Sequence, residues 1–225
     1  MHRTDSTLSG RASRATSASQ NRGTITPLFP LLLLETLRDR DRPEEVLEDE
    51  DVTVSMPRRL GLSDVVGVQI RRFQEEVRAR RLQSAANVID LMRLVVRRPD
   101  AAEIFAEAGR RLARHGWSQR SSTSRLLLRV APKPISRIAA RRAARRLFRQ
   151  IAGDAKLHVG RWPIDVRLHD SISSRADPNG AACSFYSGAF AEVMQLHTAK
   201  RYRVVHSECI CRGASECHWT VEVEE

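Results

Sequence analysis

The stretch His206-Ser207-Glu208-Cys209-Ile210-Cys211-Arg212-Gly213-Ala214-Ser215-Glu216-Cys217-His218-Trp219 places an imidazole and two thiols around a glycine-centred reversal. Gly213 supplies the tight turn that brings Cys209 and Cys217 together, and a third thiol, Cys183, arrives from far upstream. Three thiols and an imidazole match the donor set of a tetrahedral zinc ion. A shell closed by four protein ligands has no position for water, so such a zinc is structural and not catalytic. Two other readings stay open at this level: buried free thiols, and a disulfide among the four cysteines. Cys211 is the spare thiol, and Cys211 or Glu208 is the replacement ligand if His206 does not bind.

The residues on either side set the period. Tyr202–Cys209 and His218–Glu224 read as two antiparallel strands joined around Gly213, and Ile164, Val166 and Leu168 alternate with polar residues as one more strand with a buried face. Asp177-Pro178-Asn179-Gly180 is a turn. Tyr186, Ala189, Phe190, Val193 and Leu196 return to helical spacing.

Upstream the chain reads as helices. A short one starts after Pro27, and Glu44–Asp51 is an acidic surface turn or short helix. A stripe of Ile70, Phe73 and Val77 continues, after a break near Gln83, as Val88, Met92 and Val95. Pro99 stops that run. Asp100 and Glu103 resemble a capping box for a helix that buries Ile104, Phe105, Ala108 and Leu112. Ser118–Ser124 reads as a loop, and Pro132 and Pro134 mark another. Ile135–Gly153 is the clearest amphipathic helix, with Arg137, Arg141, Arg145 and Arg149 at four-residue steps opposite Ala140, Ala143, Ala144, Leu147 and Ile151.

The expected fold class is therefore α+β, with N-terminal helices packed on a small antiparallel sheet and a zinc-stapled C-terminal end. Residues 1–26, rich in Ser, Thr, Arg and Gly, cannot bury enough apolar surface to offset ordering entropy and are expected to form a disordered basic tail. Residues 27–225 form one ligand-binding domain, helical over 27–153 and strand-rich over 154–225.

The run Cys183-x-x-x-x-Gly188, followed by His206-x-x-Cys209-x-x-x-Gly213-x-x-x-Cys217-x-Trp219, resembles the C-terminal motif of the 4-vinyl reductase domain family. The helical Glu107-Ala108-Gly109-Arg110, with a basic stretch after it, is similar to the family's bacteriochlorophyll-biosynthesis branch over most of the length. Other members are sensor domains of aromatic-responsive bacterial activators and stand-alone hydrocarbon-binding proteins. In sensor-domain relatives a glutamate stands where this chain has His206, and over Ala155–Trp162 relatives carry an aromatic pair where this chain reads Lys156-Leu157-His158. The resemblance implies binding of a porphyrin or chlorophyllide intermediate, as a carrier for the large porphyrin-binding subunit of magnesium chelatase or as the 4-vinyl reductase of the family's name. A stand-alone sensor of aromatic or hydrocarbon molecules, acting through a partner protein, is the alternative. A homodimer is expected.

No Gly-x-Gly-x-x-Gly turn and no Walker-type loop occurs in the 225 residues, which tilts the reading from redox catalysis toward binding. A tetrapyrrole needs a broad apolar pocket and one or two polar groups for its propionates, and an imidazole can face its central magnesium. The candidates near the helix–sheet junction are His158, Trp162, His169, Phe185, Tyr186 and His197, with Trp117 in the same class; no catalytic residue is assigned. The formal charge of +11 raises nucleic acid and anionic membranes as partners. Arginine rows at helical spacing are commonly solvated faces, so nucleic-acid binding is not expected and peripheral membrane contact rests on charge alone. Leu31–Leu34 is too short to span a bilayer and the start lacks the apolar core of a secretory signal. The expected place is the cytoplasm, at most peripheral to a photosynthetic membrane.

Overall fold

The computed structural model describes residues 23–41, 64–153 and 155–223. The expected acidic turn over 44–51, the tail over 1–22 and Glu224 lie outside the described residues. The architecture is α+β, mostly helical, with small antiparallel sheets.

In chain order, β1 (Thr24–Ile25), α1 (Leu28–Arg40), α2 (Asp64–Arg78), β2 (Gln83–Ser84), α3 (Ala85–Val96) and α4 (Ala101–Ser118) come first. A helical hairpin follows, α5 (Ser122–Val130) and α6 (Lys133–Ile151). Next come β3 (Lys156–Val159), β4 (Asp165–His169), the short α7 (Ile172–Ala176), a 3-10 turn (Ala181–Cys183) and α8 (Ser184–Thr198). The chain then forms β5 (Tyr202–Glu208), a second 3-10 turn (Ile210–Arg212) and β6 (Cys217–Val223). The larger sheet is fully antiparallel in the order β3-β4-β6-β5. Its inner face is Val166, Leu168, Cys217, Trp219 and Val221, all buried, which is the period of two expected of a half-buried sheet.

Helix α8 is the centre of the molecule. It buries Phe185, Tyr186, Gly188, Ala189, Phe190, Val193 and Met194, more than one stripe, because α4 and α6 pack on it from one side and β5 from another. Two glycines let α4 and α8 approach to backbone contact. A Cβ on Gly109 would fall 2.1 Å from the Phe185 carbonyl oxygen, and one on Gly188 would fall 2.1 Å from that of Ala106. Aromatic rings fill the space around this pair: Phe29 on Phe185, Phe148 on Tyr186 and Phe190, and Tyr186 on Trp219. Each such side chain, fully buried, contributes roughly 1.5–3 kcal/mol.

Four expectations change. Thr24–Thr26 belong to the fold and not to the tail: β1 pairs with β2, Ile25 is fully buried, and the Thr26 amide donates to the Gln150 carbonyl. The supposed loop Ser118–Ser124 contains the start of α5. Ser121 Oγ accepts from the Ser124 amide as an N-cap, so the serine run initiates a helix. Asp100 does not cap α4, because Arg98 takes both of its carboxylate oxygens while also binding Asp41. The arginine row of α6 is not one solvated face. Arg141 donates to the Val159 and Gly160 carbonyls, and Arg137 lies 3.9 Å over the Trp162 ring, so this half of the row ties α6 to the β3–β4 end of the sheet.

Candidate metal centre and ligand groove

Cys183 reaches the end of the sheet because of a buried aspartate. The Asp177 carboxylate accepts the Asn179 and Ala182 amides, both at 2.8 Å, and fixes the turn that opens α8. Gly180 takes φ +86° and lies against the other strand connection, with its Cβ position 3.6 Å from Cys209 Sγ and from Cys211 Cβ. Cys211 Sγ donates to the Asp177 carbonyl at 3.0 Å. The two turns therefore clasp each other, and their cysteines meet.

The ligand atoms of Cys183, His206, Cys209 and Cys217 all lie within 4.8 Å of one another. A tetrahedron with metal–sulfur bonds of about 2.3 Å has edges of about 3.8 Å, and Cys217 Sγ and Cys209 Sγ stand 4.0 Å apart. The three thiols are buried and free of disulfide bonds. His206 Nε2 is buried with no hydrogen-bond partner among the described residues, which is costly unless something binds it. Hydrogen bonding with Cys183 holds the Cys217 thiol well below its ordinary value, with His206 adding to the effect. The same bond pushes Cys183 far up. This donor set fits a divalent metal ion.

Position separates the candidates for a fourth ligand. Cys211 is turned to Asp177, and burial lifts its thiol to about 12. Glu208 is exposed and sits opposite His218, past a register shift between His206 and Glu208. That irregularity lets His206 join the cluster while Glu208 faces solvent. The imidazole is stacked on Trp219, centroids 4.5 Å apart and planes within 8°, and Trp219 Nε1 donates to Ser187 Oγ of α8 at 3.1 Å.

The six pocket candidates do not line one cavity. Phe185 and Tyr186 are core packing. His158 and His169 are exposed on the outer face of the sheet, where His169 pairs with Glu216 at 2.8 Å. Trp162 is partly exposed under Arg137. Only His197 borders a large groove, of about 910 Å³, between α4, α6 and α8, and Trp117 lines it too.

His197 is 4% exposed. Its Nδ1 is 2.8 Å from the Val193 carbonyl one turn back, so Nδ1 carries the proton and donates, and Nε2 keeps its lone pair. Nε2 is buried with no partner among the described residues. Burial pushes the imidazole down to about 4, against the opposing Val193 bond, with the Arg120 charge adding to the depression. Trp117 packs edge-on at 4.7 Å. Leu112, Leu147 and Val193 form apolar wall, and Arg80, Arg120, Arg146 and Arg149 ring the groove. None of these four is ion-paired among the described residues. These cations were not singled out as pocket residues from sequence; their only signal was spacing, since Arg146 and Arg149 precede and follow the groove-lining Leu147. The groove can take an apolar body with anionic ends, inside the 300–1,000 Å³ range of small-molecule sites.

Comparison with protein-family models, curated proteins and solved structures finds no match.

Proposed function

We propose that this chain is a zinc-stapled binding protein for a porphyrin or chlorophyllide intermediate, acting as a carrier or accessory factor in bacteriochlorophyll biosynthesis. Cys183, His206, Cys209 and Cys217 hold the zinc, whose chemistry is to neutralise buried thiolates and tie α8 to the β5–β6 end. The reading takes its direction from the resemblance of the cysteine motif to the 4-vinyl reductase domain family. The observation that carries it is the groove: a space of about 910 Å³ with Leu112, Leu147 and Val193 in its wall, and four arginines without carboxylate partners among the described residues. Propionates pair with the guanidinium ring, and the neutral His197 ring borders the groove beside Trp117.

The test is an absorption titration of metal-replete protein with a porphyrin and with a divinyl chlorophyllide. The reading expects a shifted band whose affinity Arg146→Gln with Arg149→Gln weakens by about a hundredfold or more, at roughly 1.5–3 kcal/mol per charged hydrogen bond lost. It also expects no conversion of the divinyl substrate with reduced nicotinamide or reduced flavin. Turnover restores the reductase. Binding of a small aromatic or lipid in place of any tetrapyrrole gives the sensor.

A further inference from the structure

From Arg120 through Gly153 the chain carries nine arginines and one lysine with no aspartate or glutamate. Most of the excess charge of +11 therefore sits on the α5–α6 hairpin, with Arg120 just before it. The hairpin also leaves five large aliphatic side chains in solvent: Leu126, Leu127, Val130, Ile135 and Ile138 are each between 53% and 74% exposed. They lie on α5 and the first two turns of α6, on either side of the Ala131-Pro132 connection.

Along α6 the same face continues as a sequence of steps of three and four. Ile135 and Ile138 lead to Arg142, Arg145 and Arg149, all exposed, while Ser136, Ala140, Ala144, Leu147 and Ile151 are buried on the other side. The face runs about 20 Å at the helical rise per residue. None of Lys133, Arg142 and Arg145 has an acidic partner among the described residues.

From this we infer that the α5–α6 corner docks on an anionic lipid bilayer, with its leucines and isoleucines in the headgroup–acyl boundary and its cations on the lipid phosphates. A second copy of the chain fits poorly, since an isologous contact would set this acid-free face against itself. A nucleic acid would satisfy the cations but has no surface to cover five exposed aliphatic side chains. The bilayer satisfies both at once. Arg149 belongs also to the groove, so the docked face and the groove share a helix. The inference does not depend on what the groove binds.

The test is flotation of the full chain with vesicles of phosphatidylglycerol and phosphatidylcholine in equal parts, and with phosphatidylcholine alone. Binding is expected to the anionic vesicles only and to weaken with salt. Removing one charge near such a surface lowers affinity roughly fivefold, so Arg142→Gln with Arg145→Gln should weaken binding about 25-fold. Leu126→Ser with Leu127→Ser should weaken it by at least about tenfold. All four side chains are exposed and outside the groove, so melting temperature and groove binding should stay unchanged. No flotation, or equal binding by wild type and both variants, overturns the proposal. So does a wild-type dimer that the serine variant splits, or tighter binding to nucleic acid than to anionic vesicles.

Discussion

His206 lies flat on Trp219, and Trp219 is hydrogen-bonded to Ser187 of α8. The imidazole of the Cys/His cluster is therefore oriented by a core residue that is itself tied to the central helix. Groups that orient a ligand commonly change metal affinity 10- to 100-fold when lost. Trp219→Leu should lower zinc affinity by about tenfold or more in chelator competition, whereas Trp219→Phe keeps a ring under His206 and should retain most of it. Equal affinity in wild type and Trp219→Leu would show that the stack does not position the ligand.

Gly109 and Gly188 are fixed by contact with backbone, not with movable side chains. Gly188→Ala and Gly109→Ala should each cost at least about 2 kcal/mol, by forcing α4 and α8 apart in a close-packed core. Gly116, also in α4, meets nothing within 4 Å at its Cβ position. Gly116→Ala should be neutral or stabilising by up to about 1 kcal/mol. Denaturant unfolding of the three variants checks the contrast, and similar effects at all three positions would contradict it.

His197 gives a pH dependence of known sign. Its pKa falls from 6.5 to about 4 on burial, so the unfolded chain binds a proton that the folded chain refuses. The associated stability is present above about pH 6.5 and is lost as pH falls toward about 4; its size is on the order of 3 kcal/mol. The metal ligands also titrate in acid, so the readout is a difference between proteins. Wild type should lose more stability than His197→Leu between neutral pH and pH 4.5, and parallel curves would show that His197 is not buried neutral.

The N-terminal boundary is testable by truncation. A chain starting after residue 26 lacks Ile25, which is fully buried in the main core, and the β1–β2 pairing. Relative to a chain starting after residue 22 it should lose about 2–5 kcal/mol. Equal melting temperatures would mean that Ile25 is not part of the core.

What the sequence made legible follows from local physics. Alternation found Val166 and Leu168, helical spacing found the buried face of α6, and soft donors around a glycine turn found the four cluster residues. The boundary near residue 26 was missed because a two-residue strand such as Thr24–Ile25 has no period. Helix α5 was missed because a serine N-cap looks like a loop until its hydrogen bond to Ser124 is seen. The groove was hidden for a different reason: His197, Trp117, Arg80 and Arg149 come from separate elements, and no spacing encodes their meeting. His158 and His169 were candidates by residue type, yet the pleat turns both to the outer face.

The central claim, that Cys183, His206, Cys209 and Cys217 form a closed structural zinc centre, is tested most directly by metal analysis of tagless protein, wild type beside Cys209→Ser and Cys211→Ser. The account predicts about one zinc per chain in wild type and Cys211→Ser, with Cys209→Ser depleted of metal and far less stable. A wild-type protein that is metal-free and fully folded, or serine variants that lose metal equally, would contradict it.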